Sequence, residues 1–246
     1  MKKLIVAFLL AASPMLGLAA GGGVPLDDAD IDLSDQASLQ RGAKYFMNYC
    51  LSCHSAKYQR YNRMAKDLGL TEQEVIDNLM FTTDKIGDTM NIAMTEDKGT
   101  EWFGSPPPDL SVIARARGVD WIYTYLRSFY LDETRPFGVN NHVFPDVGMP
   151  NVLWQLQGAQ KAVFRLEKGP DGNDIEVFDH LEPATEGTMS TEEFDQVARD
   201  LTAFLSYIGE PIQMERKRLG VWVLLFIAVF FVLAYLLKKE YWKDVH

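Results

Sequence analysis

The sequence predicts a mainly α-helical domain with long loops and a small β-hairpin, followed by one C-terminal transmembrane helix. Amphipathic runs that open with capping residues predict the helices, two apolar segments around a turn predict the hairpin, and a long uncharged apolar run predicts the last helix. Hydrophobic residues make up 47% and charged residues 24% of the 246, which excludes a disordered or collagen-like chain. The two cysteines are too few for a disulfide-framework fold.

Helices are predicted over 36–49, where apolar residues recur at helical spacing, and after three capping signals. A Ser, Thr or Asp before a helix accepts hydrogen bonds from its first N–H groups. The predicted starts are Thr71 with Glu74 for a helix through Met80, Asp120, and Ser190 with Glu193. The helix after Asp120 would turn Tyr125 and Phe129 inward, and the last helix of the domain would end at Gly209 and Pro211.

The hairpin is predicted over 161–178, around a turn that contains Pro170 and Gly172. The stretches 82–119 and 131–160 are predicted to be long and irregular. Loops of this length are unusual in a compact domain unless something organises them. A large apolar cofactor would be such an organiser.

Both ends of the chain carry apolar segments. Residues 1–20 have a charged start, a short apolar run and small residues at a cleavage position, which indicates a secretory signal; an uncleaved N-terminal anchor is the alternative. The run 219–237 contains no charge, and its 19 residues at about 1.5 Å each span roughly 28 Å, close to a bilayer core. A buried core helix is the other reading of this run, but it is apolar all round and bracketed by charges.

These two segments define the expected topology. Basic residues flank the C-terminal run on both sides, so the positive-inside rule leaves its orientation undecided. The signal then places 21–214 in the periplasm, 215–237 across the bacterial inner membrane as a single-pass anchor with its basic flank, and 238–246 in the cytoplasm.

The chain is acidic. Its formal net charge of −10 argues against a nucleic-acid-binding protein. Residues 21–214 alone carry 16 basic and 31 acidic residues. Such a surface attracts a basic partner, although acidic surfaces also serve simply to keep exported proteins soluble.

The strongest chemical signal is the C-x-x-C-H run formed by Cys50, Cys53 and His54. Two thiols one helical turn apart reach the two vinyl groups of one haem, and the following histidine supplies the proximal iron ligand. A redox dithiol would need a βαβ context that is absent from this sequence. A zinc site would need a second Cys/His pair, and His142 and His180 are isolated. The sequence therefore predicts one covalently attached haem c.

The sixth iron ligand is open on the residues alone. Methionines in helices are usually core, which is the expectation for Met47, Met64 and Met80; those placed in loops are Met90, Met94, Met149 and Met189. Met149 is the best placed, because Gly148 permits close backbone approach and Pro150 stiffens the chain after it. Methionine ligation would leave no open iron site, which favours electron transfer over oxygen chemistry.

The proline run at 106–108 has fixed backbone angles and free carbonyl acceptors. A carbonyl of Pro107 or Pro108 could accept the ring N–H of His54 and orient that ligand. The alternative is an exposed polyproline segment. Either Arg115 or Arg117 could neutralise a haem propionate, although each is also compatible with an ordinary surface position.

In this order the motifs resemble those of the cytochrome c1 family, in its bacterial type: the haem c subunits of cytochrome bc1 complexes (ubiquinol–cytochrome c reductase). The resemblance covers most of the mature chain and rests on the segments 50–54, 107–111, 114–117, 148–150, 188–190 with 197–201, and 210–211 before the C-terminal span. It implies a class I cytochrome c-like haem domain. In such a domain the face of the first helix with Gly42 and Phe46 packs on the last helix near Phe204 and Tyr207.

The resemblance also implies the remaining roles. Met149 becomes the sixth iron ligand and Arg117 the propionate partner. The haem would take an electron from the Rieske iron–sulfur protein and pass it to a cytochrome c. Cytochrome b would be a further partner, and the quinol chemistry would belong to a partner and not to this chain. The acidic surface would then steer a basic acceptor. Family members with an extra disulfide have further cysteines, so here the Met149 loop is expected to be held by packing alone.

Two alternatives from other classes remain. A stand-alone membrane-anchored cytochrome c that shuttles electrons to an oxidase or reductase would have a smaller domain and a plain linker before its anchor. A haem enzyme or gas sensor would need an open iron site, and hence no ligation by Met149. No catalytic residue is predicted, because the chain would have no substrate pocket of its own.

Overall fold

A computed structural model describes residues 24–169 and 171–244, so the predicted signal at 1–20 lies outside the described residues, as does Pro170 of the predicted turn. The described chain is mostly helical. Its helices are α1 Gln36–Tyr45, α2 Tyr61–Asp67, α3 Glu72–Asn78, α4 Glu96–Phe103, α5 Ile113–Arg117, α6 Val119–Arg127, α7 Trp154–Gln157, α8 Thr191–Gly209 and α9 Gln213–Tyr241. Its strands form antiparallel pairs: β1 Ala56–Arg60 with β2 Thr89–Met90, β3 Phe129–Leu131 with β4 Val139–Asn141, and β5 Gln160–Lys168 with β6 Asp174–Pro183.

The centre of the core is the crossing of α1 and α8. A Cβ at Gly42 would collide with the backbone carbonyl of Asp200, so only glycine permits this close approach. The rings of Phe46 and Phe204 meet beside it, with centroids 5.4 Å apart. The predicted packing of the Gly42 and Phe46 face on the last helix of the domain is therefore confirmed. The three methionines predicted to be core, Met47, Met64 and Met80, are all buried.

A buried carboxylate ties the same two helices together. Asp200 accepts hydrogen bonds from the Ser38 hydroxyl and from Nε of Arg41, both at 2.6 Å. The Asp200 side chain is only 1% exposed, and a buried charge is tolerated when it is paired and hydrogen-bonded in this way.

Two of the three capping predictions are confirmed. Thr71 with Glu74 and Ser190 with Glu193 form complete capping boxes at the starts of α3 and α8. The first of these helices ends at Asn78, two residues before the predicted Met80, and α8 ends at Gly209 as predicted.

The prediction for Asp120 as a cap is wrong. Helix α6 follows Gly118, and Asp120 lies inside its first turn, where the carboxylate accepts the N–H of Ala29 at 3.0 Å. The side chain is therefore engaged by a distant segment of the chain. Phe129 is buried as expected, but it lies in β3 and not on the helix.

The predicted hairpin is confirmed and is longer than expected, since β5 and β6 extend it to 160–183 with a bulge between Val163 and Phe164. The stretches 82–119 and 131–160 are not irregular throughout. They contain α4, α5 and α7 as well as β2 and β4. These elements are mostly three to eight residues long, too short to produce a recognisable period in the sequence.

The last helix, α9, leaves the domain after a short connection. Three residues separate it from the end of α8, and it runs for 29 residues, which contain the predicted span 219–237. At about 1.5 Å per residue it is roughly 44 Å long. Its apolar part has a mean hydropathy of 2.8 and buries nothing against the rest of the described chain, so length and composition suit a membrane crossing.

Candidate haem-binding site

One apolar cleft collects the predicted site residues. Its lining includes all seven of them, which are Cys50, Cys53, His54, Pro107, Pro108, Arg117 and Met149. The cavity volume of the cleft is about 260 Å³, just below the ~300–1,000 Å³ of most small-molecule sites. Most of the remaining lining is aliphatic or aromatic, as an apolar ring system requires.

The two cysteines and the histidine lie within one tight turn of backbone. Residues 46–50 continue α1 as a π-helical turn, and the N–H groups of Cys53 and His54 both donate to the carbonyl of Cys50, at 3.1 and 2.9 Å. Burial raises the pKa of the Cys50 thiol to about 12, so this sulfur is protonated at neutral pH. The turn brings both thiols and the imidazole to the same cleft.

His54 is oriented by the proline run. Its Nδ1 donates to the carbonyl oxygen of Pro108 at 2.8 Å, which leaves Nε2 as the nitrogen with a free lone pair. Burial lowers the pKa of His54 more than this hydrogen bond raises it, so the neutral form, which a metal ligand must have, is favoured. The sequence interpretation in which a proline carbonyl accepts the ring N–H is confirmed, and the acceptor is Pro108.

Asp109, a residue that the sequence did not predict to take part in the site, fixes that carbonyl in place. Its carboxylate accepts hydrogen bonds from the Ser55 hydroxyl and from the backbone N–H groups of Lys57 and Ser111, each at 2.9 Å. Burial raises the pKa of Asp109, but these hydrogen bonds outweigh it and hold the pKa below its ordinary value. The local signal was an Asp two residues before a Ser, a pattern typical of a side-chain-capped turn.

Pro107 is held from its other side by α4. A Cβ at Gly99 would lie 2.8 Å from Cδ of Pro107, so this helix packs on the proline run through a glycine. The same helix touches the Met149 loop, because a Cβ at Gly148 would lie 3.2 Å from the carbonyl oxygen of Phe103. Gly148 does permit a close backbone contact here, with the end of α4, and its predicted approach to the haem stays a prediction.

Met149 faces a tyrosine on α6. The Tyr125 hydroxyl donates to Sδ of Met149 at 3.3 Å, and its ring stacks on Trp121 with centroids 4.9 Å apart. Burial raises the pKa of Tyr125, so the hydroxyl stays a donor at ordinary pH. The sequence predicted Tyr125 only as an inward-facing residue, and its contact with Met149 was not predicted.

The loop that carries Met149 is not held by packing alone, contrary to the expectation from the absence of further cysteines. Side chains of Arg135, Asn140 and Asn141 bind its backbone. These residues come from β4 and from the turn before it.

Of the two arginines left open by the sequence, Arg117 is the one that lines the cleft. Its guanidinium lies over the rings of Trp121 and Phe144, 5.1 and 5.7 Å from their centroids. These aromatic contacts hold a positive charge at the cleft, and within the described residues no hydrogen bond occupies its N–H groups, so they can meet an anion. Arg115 instead lies near Gly209, where its Cγ is 3.5 Å from the position of an added Cβ.

The residues present fit a c-type haem. Two thiols and a neutral imidazole share a turn, a thioether sulfur lines the same cleft, the walls are apolar, and one arginine offers a partner for a propionate. A helical domain with such a cleft belongs to the c-type cytochromes, a class of electron-transfer proteins.

Comparison with known proteins narrows the class to a family. Residues 29–245 match the Cytochrome C1 family. The chain is 56% identical over the full length of both proteins to cytochrome c1 of Allochromatium vinosum. It is 47% identical, over all of this chain and 98% of the relative, to the ammonia monooxygenase gamma subunit of Nitrosomonas europaea. A cytochrome c1 of Rhodospirillum rubrum is 28% identical over 99% of this chain and 97% of that protein.

The chain belongs to the cytochrome c1 family. This membership implies electron transport, a covalently bound haem c and attachment to a membrane.

Proposed function

We propose that this chain is the haem c subunit of a quinol–cytochrome c oxidoreductase. It takes one electron from a Rieske iron–sulfur protein and passes it to a cytochrome c acceptor. The observation that carries the proposal is the apolar cleft that holds His54 and Met149 together, in a chain that matches a cytochrome c1 along its whole length.

Different residues of the cleft hold different parts of the cofactor. Cys50 and Cys53 would attach the haem through thioether bonds, and His54 and Met149 would hold its iron through a ring nitrogen and a thioether sulfur. Haem c, when bound, supplies a one-electron redox couple. Because this chain would supply both ligands of the iron, small molecules would be excluded, and the site would transfer electrons without binding a substrate.

The surrounding residues set the orientation of these ligands and their electrostatics. The Pro108 carbonyl fixes the plane and tautomer of His54, and Pro107 closes the cleft beside it. Arg117 neutralises a propionate with the face of its guanidinium held on Trp121. A cationic partner for a propionate also helps to retain the electron, because it favours the reduced form.

The proposed topology keeps this cleft at a fixed distance from the membrane. Residues 1–20 are removed, 21–214 lie in the periplasm, 215–237 cross the bacterial inner membrane, and 238–246 lie in the cytoplasm. The connection between α8 and α9 is only three residues long, and Arg216 spans it with a two-bonded ion pair to Glu210, at 2.5 and 3.1 Å. A short, braced connection suits a subunit with a fixed place in a complex better than a tethered shuttle.

Partners follow from the surfaces. The apolar sides of α9 are exposed along its length and suit packing against a multi-span subunit of the cytochrome b type. The excess of acidic residues over 21–214 suits an acceptor cytochrome c that is basic at its docking face.

A second candidate comes from the relative named as an ammonia monooxygenase gamma subunit, which covers this chain completely. On that reading the same electron-transfer domain would serve an ammonia-oxidising complex. The stand-alone anchored shuttle is a third assignment. All three share the haem site and differ in the proteins that accompany it.

The test is purification of the full-length tagged chain from gently solubilised membranes of its own organism. Quinol is added, and the absorbance of the c-type haem is followed with and without an inhibitor of bc1-type quinol sites. We expect inhibitor-sensitive reduction, and copurification of a b-type cytochrome and an iron–sulfur protein. A matched Met149→Leu preparation should keep these partners, which separates assembly from electron transfer.

Two results would overturn the proposal. A haem protein that purifies alone and ignores quinol, under conditions that preserve other membrane complexes, identifies the anchored shuttle. Copurification with monooxygenase subunits in place of the b-type cytochrome identifies the second candidate.

A further inference from the structure

A buried asparagine links the Met149 loop to helix α6. Asn141 is fully buried at the end of β4. Its Oδ1 accepts the backbone N–H groups of Val143 and Phe144, at 2.9 and 3.1 Å. Its Nδ2 donates to the carbonyl oxygen of Tyr125 at 2.8 Å. One amide therefore joins the turn that leads into the loop to the residue whose hydroxyl reaches Met149.

A second set of hydrogen bonds holds Asp146, three residues before Met149. Its N–H donates to Oδ1 of Asn140 at 2.8 Å. The guanidinium of Arg135 donates to both its carboxylate and its backbone carbonyl, each at 2.8 Å. The N–H, the carbonyl and the side chain of Asp146 are thus all bound by Asn140 of β4 and by Arg135 of the turn between β3 and β4.

Asp146 also has an unusual backbone conformation. Its φ is +62°, in the left-handed region that residues other than glycine rarely adopt. Such a conformation persists where the surrounding contacts determine it. The hydrogen bonds from Asn140 and Arg135 are those contacts, and they set the direction in which the chain enters Gly148 and Met149.

We propose that Arg135, Asn140 and Asn141, here called the loop bracket, are positioning residues for Met149. The proposal rests on the proposed function, in which Met149 is an axial ligand. The bracket does with hydrogen bonds what a covalent cross-link would otherwise do, and fixes the thioether sulfur relative to Tyr125. A ligand on a free loop would lose chain entropy each time it bound, and the bracket has already restricted that loop.

The bracket has a buried and an exposed part, which allows graded tests. Asn140 and Asn141 are 7% and 0% exposed, so their hydrogen bonds are protected from water. The side chain of Arg135 is 26% exposed and that of Asp146 is 77% exposed, so solvent screens their ion pair. Changes at Asn141 should therefore release the loop more than changes at Arg135.

The experiment uses the full-length, haem-loaded protein with Asn141→Asp and Arg135→Gln. The aspartate keeps an oxygen for Val143 and Phe144 but loses the donor to Tyr125. The control is Asn78→Ala, which removes an exposed amide that donates to the Glu74 carbonyl at 2.8 Å on α3. The readouts are carbon monoxide binding by the reduced protein, the methionine–iron absorbance band of the oxidised protein, and hydrogen exchange over 142–150.

We expect both bracket variants to keep covalent haem while the fraction that binds carbon monoxide rises about tenfold for Asn141→Asp and less for Arg135→Gln. Amide exchange over 142–150 should accelerate in the same order. Arg135→Lys should restore part of what Arg135→Gln loses. The rescue is incomplete because an ammonium keeps the charge but not the fork of donors that reaches two oxygens of Asp146.

The proposal is overturned if both variants match Asn78→Ala in carbon monoxide binding and in exchange over 142–150. If Asn141→Asp fails to accumulate, the comparison of Arg135→Gln with Arg135→Lys decides in the same way. Failure of the premise taken from the proposed function, ligation of the iron by Met149, has a different signature. In that case the unaltered protein binds carbon monoxide as readily as Met149→Leu, even though the bracket variants still loosen the loop in hydrogen exchange.

Discussion

The two sides of the cleft are built in different ways. The histidine side, formed by Cys50, Cys53, His54 and Pro108, is a single turn of backbone that docks on a proline run. The methionine side, formed by Met149 and Tyr125, lies on a loop and a helix that distant side chains hold together. The first side is therefore one local turn oriented by a carbonyl 54 residues further along the chain, and the second is held by several side-chain hydrogen bonds that span up to 24 residues.

This difference in construction predicts how each side of the cleft responds to a single substitution. On the histidine side the covalent attachment and the first ligand are consecutive in sequence, so a single change removes the anchor of the whole site. On the methionine side Met149 is half-buried and its loop has several hydrogen bonds. Loss of one contact there should shift an equilibrium without preventing assembly.

The largest expected effect is the difference in haem-loaded protein between His54→Leu and Met149→Leu. We expect His54→Leu to abolish accumulation of the haem-loaded protein, since it removes the proximal ligand and the group that docks on Pro108. Met149→Leu should retain covalent haem, gain carbon monoxide binding, and lower the reduction potential by on the order of 0.1 V, because axial ligands move haem potentials over about 0.8 V. Haem staining, carbon monoxide difference spectra and redox titration measure the three quantities. Equal loss of haem in both variants would contradict the contrast between the two sides.

A smaller effect is expected from Asp109, which supports the histidine side. Asp109→Ala removes the acceptor of three hydrogen bonds, and we expect it to lower the free energy of unfolding by about 1–3 kcal/mol. Thermal unfolding of the detergent-solubilised protein, followed by haem absorbance, measures this. Asp171→Ala is the matched control, because that carboxylate caps an exposed turn in the β5–β6 hairpin.

The same residue gives the histidine side a pH dependence with a definite sign. The pKa of Asp109 in the folded protein lies below its ordinary value of 3.8. Its contribution to stability is therefore fully present above that ordinary value and is lost as the pH falls through the lowered pKa. We expect the unaltered protein to lose stability over this acid range more steeply than Asp109→Ala. Parallel acid-unfolding curves for the two proteins would show that the carboxylate does not support this side.

The sequence predicted the histidine side better than the methionine side, because its attachment motif is local. A C-x-x-C-H run and a capping box each act within a few residues, so their partners can be read from spacing, whereas the proline run meets His54 from 54 residues away. The loop bracket could not be read in this way, because Asn141 reaches back to Tyr125 through the folding of β3 against β4.

Long-range contacts also explain the errors in the fold. Asp120 has the residue type of a helix cap, but its carboxylate is used by Ala29 from the N-terminal segment. The short helices α4 and α5 have too few turns for a period to emerge. The choice between Arg115 and Arg117 required the position of Trp121, which only the packed cleft supplies.

The smallest expected effect is a change in reduction potential when the hydrogen bond to Met149 is removed while the position of its loop is kept. Tyr125→Phe removes the hydroxyl that donates to Sδ of Met149 and keeps the ring that stacks on Trp121. A sulfur that donates one lone pair to iron still has a second lone pair for this hydrogen bond, which withdraws electron density and favours the reduced form. We expect the reduction potential to fall by at most about 40 mV, the one-electron equivalent of a hydrogen bond of ~1 kcal/mol.

Carbon monoxide binding should stay at the level of the unaltered protein, because the loop bracket is intact in Tyr125→Phe. Tyr49→Phe is the control, since it removes a hydroxyl from the same cleft that is not hydrogen-bonded to Met149. Burial raises the pKa of Tyr125, so the difference in potential should be the same throughout the neutral and mildly alkaline range. An unchanged potential would show that the hydroxyl leaves the sulfur once iron is bound. A larger fall accompanied by carbon monoxide binding would instead make Tyr125 a fourth member of the bracket that holds the loop.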